Sequence, residues 1–335
     1  MRPPAVRPSN VRSVAVGAAL LAFCAAVGIL ALGTGDYPLS PAGVLRALFG
    51  GGTPATEYIV LDLRLPRVLT ALAVGAALGA SGAIFQSLTR NPLGSPDVIG
   101  FTAGASAGAL IMIIVAGAGL ASIAFGAVLG GALAAAAVYL LAYRRGTHGY
   151  RLVIIGVAVQ ALLTSLSTYL LVRANIFDAQ RAALWIMGSL NARDWAHAAV
   201  AGGALALLMP VVLMLGRRAL VLEMGDETAR ALGVSVERVR LALIATAVGL
   251  AAAGTACAGP IAFVALAAPQ LARRLTRATG PNVVPAAAMG AALLLASDLL
   301  AQRALPTTQL PVGVVTACLG GAYLIWLLGW RPRAT

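Results

Sequence analysis

The sequence contains no lysine, so all 24 of its basic residues are arginines. A Walker A loop needs Gly-Lys-Ser/Thr to hold nucleotide phosphates, and a Schiff-base enzyme needs a reactive lysine amine. The chain therefore has neither an ATP site of that type nor a Schiff-base centre. If ATP drives this protein, we expect a different subunit to bind the nucleotide.

Charged residues of both signs are also scarce, at 10% of the chain, whereas a soluble domain carries about 25%. Apolar residues make up 60%, and the mean hydropathy is +0.91. Apolar segments of about 20 residues, the length that crosses a bilayer core, recur from end to end. We therefore predict one transmembrane domain over 1–335, an all-α integral membrane protein with about ten transmembrane helices. The predicted spans are 13–33, 67–89, 96–116, 119–142, 151–173, 195–215, 239–259, 261–273, 283–302 and 311–329.

Cysteine and histidine are rare, with three and two residues. Cys24, Cys257 and Cys318 lie far apart within apolar segments, an arrangement typical of small buried hydrophobic side chains rather than of metal ligands. The two histidines are isolated from each other and from any residue that would complete a catalytic dyad. We predict no metal site, no catalytic residue and no cofactor bound by this chain.

Acidic residues number only 11, and Asp62, Asp97 and Asp298 fall near the ends of predicted spans. Proton- or sodium-coupled transporters need ionisable groups buried within the membrane. An ATP-independent secondary transporter is therefore a distant alternative for this chain. Transport by the isolated chain without nucleotide would favour it.

The arginines are divided unequally between the two sets of connections. With the N-terminus inside, seventeen lie in cytoplasmic connections and seven lie outside, which satisfies the positive-inside rule. An even number of spans then places both termini in the cytoplasm. The net charge of +13 reflects this topology, and we expect no nucleic-acid partner.

Two Gly/Ala-rich segments resemble each other, VGAALGASGAIFQ at 74–86 and VGLAAAGTACAGPIAF at 248–263. Each leads to a break marked by proline, and the second copy lies five predicted helices after the first, so this odd offset makes the two copies cross in opposite directions. This pattern is typical of inverted-topology repeats. We predict two inverted halves, about 13–173 and 195–329. The alternative is that crowded membrane helices are rich in small residues without being repeats.

A polar interruption with two prolines, SLTRNPLGSPDVIG, occupies 87–100. Pro92 and Pro96 cannot continue a helix because they lack the N–H group. Irregular backbone at membrane depth requires protein or a water-filled cavity around it. We therefore expect this turn to border a pathway, the alternative being an ordinary tight loop.

A second interruption is the long connection 216–238, which holds four of the eleven acidic residues. The sequence predicts a short helix with Asp226 and Glu227 in its first turn, where the helix dipole favours acids. Gly233 is the expected C-cap, and a second short helix is expected over 234–240. The connection is either a docking surface for a cytoplasmic partner or a solvated loop.

Five segments together resemble the membrane permeases of the iron-siderophore/vitamin B12 type ABC importers, from about residue 15 to 330. The resemblance implies a ten-helix subunit of the bacterial cytoplasmic membrane, surrounded by lipid and paired with a second permease that is a copy or a paralogue. It also implies two ABC ATPase subunits inside and an extracytoplasmic siderophore-binding protein outside. The segments are RLPR (64–67), GAALGASGAIFQSLTRNPLGSPDVIGFTAGASAGA (75–109), LEMGDETARALGV (222–234), GPIAFVALAAPQLARRL (259–275) and LPVGVVTACLGGAYLIWLL (310–328).

The same resemblance implies roles for individual residues. The positions that match the family's ATPase-coupling helix are Glu223, Gly225, Asp226, Glu227, Ala229, Leu232 and Gly233. The positions that match arginines docking the binding protein are Arg64, Arg67 and Arg303, although Gln302 stands where the family has the third arginine. The positions that match the cytoplasmic gate and pathway are Gln86, Asn91, Pro92, Leu93, His148 and Gly149.

The substrate class follows from departures within the family pattern. Ala265 and Gln270 stand where the family often has glycine and histidine, a version that the resemblance associates with ferric-siderophore permeases. We therefore expect a ferric siderophore as the substrate. A heme or cobalamin importer is the alternative within the family.

Overall fold

The computed structural model describes residues 9–142, 149–278, 280–305 and 308–329, and this part of the chain is helical without strands. A π-helical stretch, Tyr58–Arg64, leads directly into α4, and another, Ile111–Val115, extends α5. The α-helices are α1 Ser9–Gly33, α2 Pro41–Leu48, α3 Pro54–Glu57, α4 Leu65–Thr89, α5 Phe101–Leu110, α6 Leu120–Ala142, α7 Gly149–Arg173, α8 Ile176–Ile186, α9 Trp195–Glu223, α10 Asp226–Ala231, α11 Val236–Ala258, α12 Val264–Thr276, α13 Val283–Arg303 and α14 Val312–Gly329.

Seven helices in the described residues are long and apolar enough to cross a membrane. They are α1, α6, α7, α9, α11, α13 and the continuous run that ends in α4. Two apolar helices are shorter, Phe101–Val115 and Val312–Ile325. The all-helical, membrane-type fold predicted from composition is therefore confirmed. By contrast, α12 has 13 residues, which rise about 20 Å and fall short of the roughly 30 Å bilayer core.

Helix α4 lies at the centre and packs against α9, α11, α12 and α13. Its glycines allow this close approach, since a Cβ at Gly79 would overlap the carbonyl oxygen of Ala286 on α13. A Cβ at Gly82 would overlap the carbonyl oxygen of Ala265 on α12 in the same way. Small residues drive helix pairing in lipid through such backbone contacts. Helices α13 and α12 therefore pack backbone to backbone against α4 at these two glycines.

The predicted connection 216–238 is shorter in the structure. Helix α9 continues to Glu223, because Ala219 and Leu222 remain buried and extend its packed face. The second short helix predicted over 234–240 is wrong, since Val236 is already the first residue of the long helix α11. Only 224–235 lie between the two long helices, and α10 lies within that stretch.

Two opposite ends of the bundle carry the predicted functional residues. Contacts with Leu32, Thr34 and Asp298 bring Arg64, Arg67 and Arg303 together at the start of α4, which we call the α4 N-terminal end. Gln86, Asn91 and the α10 segment lie where α4 stops, which we call the α4 C-terminal end. The two groups predicted to bind different partners are thus separated by the length of α4.

Candidate functional site

A compact turn follows α4 and contains three of the predicted gate residues. We define the gate loop as Arg90–Gly94. Arg90 has a left-handed backbone (φ 50°) at the C-cap of α4, and the N–H of Asn91 donates to the Gln86 carbonyl at 3.2 Å. The Asn91 side-chain oxygen accepts from the N–H of Leu93 at 2.9 Å. These local bonds hold the loop as one unit.

Helix α12 holds this turn from the side. The Gln86 amide donates to the Leu266 carbonyl at 3.0 Å, and its oxygen accepts a hydrogen bond from Arg273. The Gln270 amide donates to the carbonyl oxygen of Pro92. From the sequence, Gln270 was only a marker of substrate class, and Arg273 had no predicted role. The i, i+3 spacing of these two residues on one helix face is the signal that would have paired them.

The α10 segment lies beside the gate loop. Gly225 (φ 116°) precedes it and Gly233 (φ 78°) follows it, so glycine provides both turns. Ala229 is fully buried, whereas Glu227 and Leu232 are exposed. The helix therefore has one anchored face and one free face, the arrangement expected of a docking surface. Glu223, the first of the predicted coupling positions, is the last residue of α9.

Asp226 is held by two arginines from different helices. Arg240, near the start of α11, donates from Nη2 to both Asp226 oxygens at 2.9 Å, and Arg90 donates from Nη2 to Oδ1 at 2.9 Å. Burial alone would raise the pKa of Asp226, but the hydrogen bonds and charges of Arg240 and Arg90 outweigh it and lower the pKa below its ordinary value. The carboxylate is therefore ionised at neutral pH, and the three side chains form an ion-pair cluster, which we call the Asp226 clamp.

At the α4 N-terminal end, Arg67 is occupied within the chain. It forms a two-pronged ion pair with Asp298 at 2.9 Å, and its Nη1 donates to Gln309 at 2.9 Å. Asp298 is only 1% exposed and also accepts from Gln302 at 2.8 Å. Arg64 donates to the backbone carbonyls of Leu32 and Tyr37. Docking of a partner stays a prediction for these arginines, and Arg67 has a structural role besides.

Replacing Asp298 with asparagine is expected to destabilise the protein by about 3–5 kcal/mol, because it leaves the Arg67 cation, only 14% exposed, without its buried counter-ion. Thermal unfolding of the detergent-solubilised protein measures this loss. Arg303→Gln is the matched control, since Arg303 makes an exposed contact with Thr34. Equal unfolding temperatures for the Asp298→Asn variant and the unsubstituted protein would contradict the structural role of the pair.

The remaining gate prediction falls at the α6–α7 connection. His148 lies outside the described residues, and Gly149 is the first residue of α7. Of the predicted gate residues, the structure brings together Gln86, Asn91, Pro92 and Leu93. It gives no geometry for His148.

A cavity of about 720 Å³ lies between α5, α7 and α14 and the stretch before α12. Asp97 lies in its wall, and its carboxylate accepts hydrogen bonds from Ser95 and Thr102. Sequence reasoning missed this wall, although the i, i+4, i+8 spacing on α7 places several of its polar residues on one face. The hydroxyl and amide side chains that line it are Thr102, Ser106, Gln160, Thr164, Ser167 and Thr168.

The cavity is lined mostly by apolar surface, with scattered hydroxyl and amide groups and without concentrated charge. In the described part of the chain, no three or more His, Cys, Asp or Glu side chains are grouped to hold a metal ion. Hydroxyl and amide groups exchange hydrogen bonds with water or with a polar solute, and the surrounding apolar wall adds little specificity. Such a surface suits passage of a large solute better than tight capture.

The chain is similar to known transport proteins over nearly its whole length. Residues 20–330 match the FecCD transport family. The chain is 49% identical to the ferric enterobactin transport system permease protein FepG of Escherichia coli (strain K12), over 94% of this chain and 95% of that protein. It is 38% identical to the achromobactin transport system permease protein CbrC of Dickeya dadantii (strain 3937), over 96% and 93%. A solved inward-facing structure of a metal-chelate type ABC transporter aligns with a TM-score of 0.85 and 28% identity, over 95% of this chain and 99% of that chain.

Proposed function

The chain belongs to the FecCD transport family, and on that premise we propose that it is the transmembrane subunit of an ABC importer that carries a ferric siderophore across the bacterial cytoplasmic membrane. The observation that carries this proposal is similarity to siderophore permeases over nearly the whole chain. ATP is hydrolysed on separate ATPase subunits, because a chain without lysine has no Walker A site of its own.

The proposed topology has about ten membrane crossings in one domain, two inverted halves and both termini in the cytoplasm. The arginine distribution supports it, as does the antiparallel packing of α4 and α11, the two predicted repeat copies. Ser81 on α4 donates to the Ala247 carbonyl on α11 at 2.7 Å. Arg90, which follows α4, and Arg240, near the start of α11, meet at the same carboxylate. The α4 C-terminal end is then the cytoplasmic end.

On this topology the two ends have different partners. The exposed face of α10 contacts an ABC ATPase subunit, and the α4 N-terminal end contacts the siderophore-binding protein. The cavity between α5, α7 and α14 forms one wall of the pathway, and a second permease subunit, a copy or a paralogue, closes the other side. The gate loop narrows the cytoplasmic exit. This chain moves the chelate and binds no cofactor of its own.

The test is uptake by the complete importer in liposomes. With the ATPase, the second permease and the binding protein present, ferric enterobactin uptake is expected to require ATP. Unlabelled heme and cobalamin serve as competitors. Suppression of uptake by either competitor, with no effect of excess unlabelled ferric enterobactin, would favour the alternative heme or cobalamin permease.

A second arm addresses the distant alternative of a secondary transporter. The isolated chain in liposomes without nucleotide is expected to transport nothing. Uptake under those conditions would overturn the proposal that ATP hydrolysis on a partner drives the movement.

A further inference from the structure

Arg90 connects the two segments that the proposed function assigns to different tasks. Its backbone begins the gate loop, one residue before Asn91. Its Nη2 atom reaches α10 and donates to Asp226 at 2.9 Å and to the Leu222 carbonyl at 2.9 Å. One side chain thus joins the exit of the pathway to the segment that faces the ATPase.

Both ends of this connection are held by further hydrogen bonds. On the α10 side, Arg240 is 10% exposed and donates to both oxygens of Asp226, so this carboxylate joins α10 to the start of α11. On the gate side, the loop is closed by bonds from Gly94 to Asn91 and from Leu93 to Asn91, both at 2.9 Å. A displacement of Arg90 therefore moves the loop as a unit rather than bending one residue.

The gate loop is held from a second direction by α12. Gln270 donates to the Pro92 carbonyl, and α12 is fixed to α4 through the close contact at Gly82. The loop consequently lies between a fixed support at Pro92 and a support at Arg90 that follows α10. If α10 moves while α12 stays, the loop must turn as a unit about its contact at Pro92.

We propose that Arg90 is a positioning residue that transmits displacement of α10 to the gate loop through Asp226. The inference rests on the proposed function, since it takes α10 as the ATPase contact and Asn91–Leu93 as the gate. Arg90 is not among the residues predicted for ATPase coupling or for the gate. The inference is that it links these two groups of residues. Its basis is the Arg90–Asp226 ion pair together with the closed geometry of the loop.

The experiment uses the complete importer in liposomes with ferric enterobactin as the substrate. In the Arg90→Gln variant, uptake per ATP hydrolysed is expected to fall about tenfold, while ATP hydrolysis itself continues. Arg277→Gln is the matched control, because Arg277 is exposed at the end of α12, at the same end of the bundle and outside both segments. The control is expected to keep the ratio of the unsubstituted chain.

A second readout separates transmission from a structural role. Leu93→Cys is introduced after Cys24, Cys257 and Cys318 are replaced by alanine, and a membrane-impermeant maleimide reports access to the gate. The labelling rate is expected to differ between the nucleotide-free and the ATP-plus-vanadate states when Arg90 is present, and to be the same in both states with Arg90→Gln. A structural role alone would not remove this nucleotide dependence while hydrolysis continues.

The outcomes are distinguishable. An unchanged uptake ratio and an unchanged labelling response in Arg90→Gln would overturn the inference and leave the proposed function intact. If the unsubstituted importer shows no ATP-dependent uptake, the proposed function fails, and the inference fails with it. If Arg90→Gln does not assemble, Arg90→Met decides, because methionine keeps an unbranched side chain but cannot donate to Asp226 or to the Leu222 carbonyl. A weakened labelling response then supports transmission, and a full response overturns it.

Discussion

Replacing Asp226 with arginine is expected to abolish ATP-driven uptake while the transmembrane bundle still folds. In the unsubstituted chain, hydrogen bonds from Arg90 and Arg240 to Asp226 hold α10 in place. The substitution removes these bonds and places a third cation beside the two arginines. Hydrogen bonds to charged groups contribute about 1.5–3 kcal/mol each, which applies to the part-buried Arg240–Asp226 pair, whereas the exposed Arg90–Asp226 pair contributes less than about 1 kcal/mol. Their loss shifts the equilibrium between held and released α10 by more than about tenfold. Uptake and ATP hydrolysis in liposomes, with co-purification of the ATPase, measure the effect.

Two milder variants isolate the clamp from the docking surface. Asp226→Asn removes the charge that both arginines contact, so it is expected to lower thermal stability as well as coupled uptake. Glu227→Gln, in the same turn but exposed, is expected to leave thermal stability unchanged. Indistinguishable unfolding temperatures for these two variants would show that the clamp does not stabilise α10.

The clamp also has a defined pH range. Since the pKa of Asp226 is lowered in the folded protein, its contribution to stability is fully present above the ordinary aspartate pKa of about 4. The contribution is lost only as the pH falls further, through the lowered pKa of the folded state. We therefore expect the stability difference between the unsubstituted protein and Asp226→Asn to be constant from pH 5 to pH 8. If this stability difference instead became smaller as the pH rises from 5 to 8, the pKa of Asp226 in the folded protein would lie above its ordinary value.

Replacing Leu93 with tryptophan is expected to reduce uptake by about tenfold or more, equivalent to at least about 1.4 kcal/mol of added barrier. Leu93 lies in the gate loop and is 49% exposed, so a larger side chain extends outward, into the exit that we propose, instead of disrupting packing. Basal ATP hydrolysis is expected to persist, because α10 and the Asp226 clamp are untouched. Uptake of ferric enterobactin and ATP hydrolysis are measured on the same vesicles.

Leu241→Trp provides the matched control. Leu241 is also 49% exposed at the α4 C-terminal end, but on α11 rather than in the gate loop. It is expected to transport as the unsubstituted chain does. Equal uptake by the Leu93 and Leu241 variants would remove Leu93 from the gate.

The sequence predicted the segments of the candidate site better than their internal contacts. The prolines at 92 and 96 marked the break after α4, and Gly233 marked the end of α10, since these residues have specific backbone requirements. The second short helix over 234–240 failed, because the same polar residues also suit the first turn of a long helix. Gln270 and Arg273 were missed as supports of the gate loop, because their partners, Pro92 in that loop and Gln86 on α4, are distant in sequence.

The sequence by itself determined that this is a helical, membrane-type chain without a Walker A lysine. Composition, segment length and the absence of lysine are properties of the chain read in order, and a bilayer accepts such apolar segments chiefly as helices. Only the tertiary structure decided the pairings. Arg67 meets Asp298 across 231 residues, and Arg90 meets Asp226 across 136. The partner of Arg67 is set by the packing of α13 against the glycines of α4, and the partner of Arg90 by the packing of α10 against α9 and α11. A charge near the membrane is costly without a counter-ion, and only this packing decides which carboxylate supplies one.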